Sequence, residues 1–206
     1  MVTGPSRRVA APDNQCSRRF LVTERWTASG VTCATSDELY NQGFDEFAGF
    51  PDTQDLGLII LDQAIVLDEY GQLAAVGTLD PLATQRGRQD LTITASGYGL
   101  TMSSPVAFES YRERLMASSR LTNLGSANTA GFNVQTNGNG KDKGGTCSGD
   151  SGGPVFHGGD LVADTSYGYT SNCRYLGGYQ RVDVPVVRDW LLCTLGDDPV
   201  ANCPTL

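Results

Sequence analysis

The stretch Gly145-Thr146-Cys147-Ser148-Gly149-Asp150-Ser151-Gly152-Gly153-Pro154-Val155 sets a serine among glycines just ahead of a proline and a β-branched residue. A nucleophilic serine needs its hydroxyl exposed on a tight turn, with backbone N–H groups converging where an oxyanion forms. Gly149 lets the chain bend with no side chain in the way, so its N–H and that of Ser151 can face one hole. The plainer reading is a glycine-rich turn between strands. It leaves the ordered run Gly149 to Pro154 unexplained, because six specified residues in a row arise by chance in about one chain in 10⁵.

Outward from this turn, short β-type runs alternate with glycine and polar turns. Leu91 to Ala95 alternates and then meets Gly97-Tyr98-Gly99, while Asp160 to Tyr167 and Gly178 to Val184 are further strand candidates. Leu56 to Val66 is an apolar stretch broken near Asp62-Gln63. This spacing predicts a sandwich or barrel. Val186, Val187, Trp190, Leu191 and Leu195 recur at helical spacing after Pro185, which predicts a short C-terminal helix ended by Gly196.

Composition narrows the function classes. The formal net charge of −8 opposes a nucleic-acid partner, because phosphate binding needs a basic face. No apolar run is long enough to span a bilayer. With one histidine and no Cys-x-x-Cys pair, neither a metal site nor a cofactor is expected. The six cysteines fit three disulfides and an oxidising compartment. Residues 1–15 lack the apolar centre of a secretory signal.

The Gly145–Val155 run resembles the nucleophile loop of the trypsin-like (chymotrypsin-family) serine proteases. The resemblance implies an all-β fold of two packed antiparallel barrels with a short C-terminal helix. The lobes would fall at 1–80, shortened, and 81–206. It makes Ser151 the nucleophile and the N–H groups of Gly149 and Ser151 the oxyanion hole. Asp55, which opens Leu56-Gly57-Leu58-Ile59-Ile60-Leu61, resembles the catalytic aspartate, and Ser166 would support it. Ser166-Tyr167-Gly168 resembles the substrate-pairing strand. Gly145, Ser166, Gly168 and Gly177 would shape the specificity pocket, an open uncharged slot favouring Phe, Tyr or Leu before the scissile bond. Disulfides are implied for Cys147–Cys173 and for Cys16–Cys33, leaving Cys193 with Cys203. A secreted, monomeric protein acting on a polypeptide in the cleft between the lobes completes the expectation.

The resemblance breaks in the first third of the chain. Thr32, before Cys33, occupies the position of the catalytic histidine, and a threonine hydroxyl cannot accept the serine proton at neutral pH. His157 lies on the run leaving the nucleophile turn, too far along it to serve. Lys143 sits in a polar loop without the burial that lowers a lysine pKa. The Cys33–Asp55 interval is about half the usual length, so the first barrel is expected to lack roughly two strands, and no Ile-Val-Gly-Gly segment supplies an ammonium for Asp150. A truncated or frame-shifted gene model and a degenerate homologue both fit. The expected activity is therefore endopeptidase chemistry at a very low level, with a catalytically inactive peptide-binding protein as the alternative.

Overall fold

A computed structural model describes residues 21–27, 30–36, 38–83, 92–111, 113–173 and 176–196, with backbone alone over 21–35. Six strands close into an antiparallel barrel. They are β6 (Thr92–Gly97), β9 (Leu115–Asn123), β10 (Asn133–Asn137), β11 (Pro154–His157), β12 (Asp160–Gly168) and β13 (Leu176–Arg181). The order is β11-β6-β9-β10-β13-β12, and pairing of β11 with β12 completes the circuit. Closure leaves none of these strands with a free edge. The remaining elements are β1 (Leu21–Thr27), β2 (Gly30–Thr35), β3 (Glu38–Asn41), β4 (Gly57–Ile60), β5 (Gln72–Leu73), β7 (Met102–Ser104), β8 (Ala107–Glu109), a 3-10 turn at Asp80–Leu82 and helix α1 (Pro185–Thr194). The strands outside the barrel form the pairs β1–β2, β3–β4 and β7–β8, apart from β5, which runs parallel to β12.

The barrel interior is built from side chains one strand apart. Ile93, Ala95, Leu121, Val134, Val155, Val162, Ala163 and Tyr179 form one buried cluster, which Ala74 and Leu79 join from the segment after β5. Full burial of each Val, Leu or Ile side chain contributes about 1.5–3 kcal/mol, so this cluster is the main stabilising mass.

A second cluster joins α1 to the region of β3 and β4. Val187, Trp190 and Leu191 of α1 pack with Leu56 and Val182, and Tyr40 and Leu58 lie against them. Pro185 starts the helix, where its fixed φ suits the first turn and its missing N–H costs nothing. The helical spacing read from the sequence thus holds through Leu191, whereas Leu195 falls at the C-cap and is exposed. Only Gly57–Ile60 of the apolar stretch 56–66 is strand, and Val66 is exposed. On β3–β4 the paired Leu39 and Ile59 are exposed while Tyr40 and Leu58 face α1, the alternation expected of a one-sided sheet.

Candidate active site

The nucleophile turn is two tight turns in series. The Asp150 N–H donates to Cys147 O at 3.0 Å, and the Gly153 N–H to Asp150 O at 2.8 Å. Gly149 at φ +98° and Gly152 at φ +72° take the left-handed conformations this path requires, which side-chain-bearing residues rarely adopt. The turn is clipped to β12 by the Gly152 N–H on Thr165 O at 2.8 Å and the Thr165 N–H on Gly153 O at 2.9 Å. Ser151 stands exposed at its tip.

Asp150 braces the turn from behind. Its Oδ1 accepts from the Gly99 N–H at 2.7 Å, and its Oδ2 from the Cys147 N–H at 2.8 Å. This contact explains Gly97-Tyr98-Gly99. A Cβ at Gly97 would come within 2.0 Å of Asp150 Oδ1, and one at Gly99 would sit 2.8 Å from the Asp150 backbone nitrogen. Gly99→Ala is therefore expected to lower stability by about 1–3 kcal/mol through forced displacement of Asp150. Gly125→Ala, with open space around it, should change stability by less than about 0.5 kcal/mol. Urea denaturation of both variants is the check, and equal values would refute the steric account.

The Cys147–Cys173 disulfide read from the sequence is present, with Cα atoms 5.1 Å apart. Cys193 is also disulfide-bonded. Its predicted partner Cys203 and the predicted pair Cys16–Cys33 fall outside the residues whose side chains are described.

Asp55 lies just ahead of β4, and its Oδ2 accepts from the Ser166 hydroxyl of β12 at 2.5 Å. The loop leading to it is gripped by the barrel. The buried Thr53 hydroxyl donates to Gln180 Oε1 at 2.6 Å and lies 3.3 Å from Asn133 Oδ1, and Asn133 Nδ2 donates to Pro51 O at 2.5 Å. Burial makes these bonds stiff, since an unpaired polar group there would cost about 1–3 kcal/mol. The sequence reading did not find this clamp, because Thr53, Asn133 and Gln180 are far apart along the chain.

Ser151, Ser166 and Gly168 line one cavity of about 300 Å³, with Thr146, Thr165 and Tyr167. Gly145 and Gly177 line a neighbouring cavity of about 440 Å³, together with Asp150 and Lys143. The two share Thr146, Cys147, Cys173 and Leu176. The residues expected to shape a single slot are thus divided between two adjoining spaces. The Tyr167 ring contacts Phe47, Phe50 and Tyr169 edge-on, with centroids 5.4–5.7 Å apart. It also lies over Gly178, where a Cβ would come within 2.2 Å of the ring. Burial pushes the Tyr167 hydroxyl pKa upward, so it stays protonated.

Two basic side chains are placed away from Ser151. His157 pairs with Asp160 at the tip of the β11–β12 hairpin and is absent from the Ser151 cavity lining. Lys143 Nζ donates to Thr92 Oγ1 at 3.2 Å. Thr32 lies in β2 opposite Arg25 of β1, and its side chain is outside the described residues. Asp164, half-buried on β12 two residues before Ser166, lines neither cavity. Burial first, and the neighbouring Asp55 charge second, push its pKa up to about 8.

Comparison with known proteins yields one family. The family description Trypsin matches residues 22–191. Trypsin alpha of Drosophila melanogaster is 25% identical over 178 residues, which cover 82% of this chain and 64% of the relative. The chain therefore spans less than two thirds of that relative's length. Human heparin binding protein superposes with a TM-score of 0.64 at 20% identity, over 84% of this chain and 71% of the other. Neuropsin, a serine protease expressed in the limbic system of mouse brain, superposes with a TM-score of 0.59 at 20% identity, over 81% and 73%. At these identities the two structures speak to fold alone.

Proposed function

The chain belongs to the trypsin family, and on that premise we propose that its cleft binds polypeptides with Ser151 placed as an acyl-transfer nucleophile. In this reading the Gly149 and Ser151 N–H groups hold the oxyanion and Asp55 is the orienting carboxylate. The observation that carries it is the Ser166 hydroxyl on Asp55 Oδ2, which ties the carboxylate to the strand that also clips the nucleophile turn. In the triad scheme known for this family, the carboxylate orients an imidazole that takes the serine proton. The chain's one histidine, His157, does not line the Ser151 cavity. Turnover is therefore expected to be very low, since loss of the base in such a triad costs about 10⁶ in kcat. Peptide binding without turnover is the second reading, favoured by that same histidine placement. Family membership and the Cys147–Cys173 disulfide point to an oxidising, extracellular setting.

A fluorophosphonate probe in excess tests the nucleophile. Slow labelling that disappears in Ser151→Ala is expected. Rapid stoichiometric labelling would reveal an activating group near Ser151 and overturn the low-turnover reading. Labelling that survives Ser151→Ala would overturn the nucleophile assignment. Thr32→His is expected to raise the labelling rate only modestly, because the Cys33–Asp55 interval is short.

A further inference from the structure

The polar segment ahead of the nucleophile turn, Asn137-Gly138-Asn139-Gly140-Lys141, carries the dipeptide Asn-Gly twice. Glycine after asparagine leaves the following backbone nitrogen unshielded, because no Cβ stands beside it. That nitrogen closes a five-membered ring when it attacks the asparagine side-chain carbonyl carbon. Closure depends on the backbone, since a reaction within one chain needs its two atoms to reach attack distance.

The fold treats the two dipeptides differently. Asn137 is the last residue of β10 and is paired on both sides, opposite Arg120 of β9 and Leu176 of β13. Ring closure there needs rotation about the Asn137 Cα–C bond out of the extended conformation, which the pairing resists. Its Oδ1 is tied to the Asn139 N–H at 2.8 Å. Gly138 is packed so closely on Gly144 that a Cβ there would lie 2.6 Å from the Gly144 carbonyl group. Asn139 and Gly140, by contrast, lie beyond the strand and are both exposed. Among the described residues neither the Asn139 side chain nor the Gly140 N–H has a hydrogen-bond partner.

We propose that Asn139-Gly140 is a self-modifying site that converts asparagine to aspartate and isoaspartate, while the sheet protects the same dipeptide at 137–138. The Gly140 nitrogen loses its proton to water and bonds to Asn139 Cγ. The Cγ–Nδ2 bond then breaks, and the amide nitrogen leaves as ammonia after taking up a proton. Water adds to either carbonyl of the resulting succinimide and opens it, giving aspartate or, with the chain routed through Cγ, isoaspartate. The net exchange is carboxamide and water for carboxylate and ammonium. Asn139 lines the larger cavity, where the charged members of the described lining are Lys143 and Asp150. A new carboxylate gives that wall an excess of acid, so the modified cavity favours cations over anions.

The test incubates the folded chain in mildly alkaline buffer and maps the peptide released by cleavage after Arg120 and Lys141 by tandem mass spectrometry. Conversion at Asn139 is expected to exceed that at Asn137 by about tenfold or more. A new acidic band should appear on isoelectric focusing and be absent from Asn139→Gln. In the reduced chain in urea, where the sheet is gone, the two sites should convert at similar rates. Equal conversion in the folded chain, or faster conversion at Asn137, would overturn the proposal. So would an acidic band that persists in Asn139→Gln. A ratio in urea as large as in the folded chain would trace the difference to sequence and overturn the protective role of the sheet.

Discussion

Replacing Asp183 with alanine is expected to destabilise the fold by about 3–5 kcal/mol, a large share of a small domain's total stability. Asp183 is fully buried, and its carboxylate accepts from Arg181 Nε at 2.7 Å, Arg181 Nη2 at 2.9 Å and the Leu79 N–H at 2.8 Å. Arg181 is itself 3% exposed. Its remaining contacts are Gly131 O at 3.0 Å and Asp80 Oδ1 at 2.7 Å. Asp80 is largely exposed, so solvent weakens what it returns to the guanidinium. Without Asp183 a buried cation and a buried N–H are left short of partners, which costs more than the pair contributed while intact. The site also matters for assembly. The Asp183 carbonyl accepts from the Gly77 N–H at 2.8 Å, and α1 begins just beyond, so the barrel, the segment after β5 and the helix meet here. Chemical denaturation of the variant gives the loss directly. A change below about 1 kcal/mol would show that the ion pair is not buried in solution. Replacing Arg181 and Asp183 together with apolar residues of similar size is expected to recover most of the loss.

The nucleophile turn of the candidate site could be read from the chain, because its parts carry local signals. Glycines at 149, 152 and 153 have steric reasons that act within a few residues, and Ser151 is fixed by them. Asp55 and Ser166 are legible only through the family resemblance, and the structure brings them into contact. Cys147 and Cys173 are legible through the family resemblance. What the sequence hides is cross-chain chemistry. Thr53, Asn133 and Gln180 look like ordinary polar residues until the barrel brings them together. Strand β9 is obscured because Ser119, buried to 1% exposure, faces inward where an apolar residue would advertise the period. The slot beside Ser151 shows the same limit. Glycines indicate where space is left, while only packing reveals that Thr146 and Thr165 line it.

Asp164 extends that lesson into a pH dependence expected to reach several kcal/mol. Its carboxyl lies on β12, where Oδ1 is buried without a hydrogen-bond partner, and its pKa is pushed up to about 8 by burial and then by Asp55. An unfolded aspartate titrates near 3.9. Below about pH 4 both states carry the proton, and Asp164 imposes no ionic cost. Between about pH 4 and pH 8 the unfolded chain releases its proton while the folded chain retains one. The folded state then binds more protons, so stability falls as pH rises, by up to about 1.4 kcal/mol per unit. Above about pH 8 both states are ionised, and the loss levels off. Asp164→Asn keeps the shape of the protonated acid and cannot ionise. The variant should match the parent near pH 4 and exceed it by several kcal/mol at pH 8, with the gap opening steadily between. Subtracting the two denaturation profiles cancels the groups that do not interact with Asp164. A constant difference across pH 4–9 would show that Asp164 ionises normally in the folded protein. A variant that gained stability only below pH 5 would reverse the sign and refute the burial argument outright.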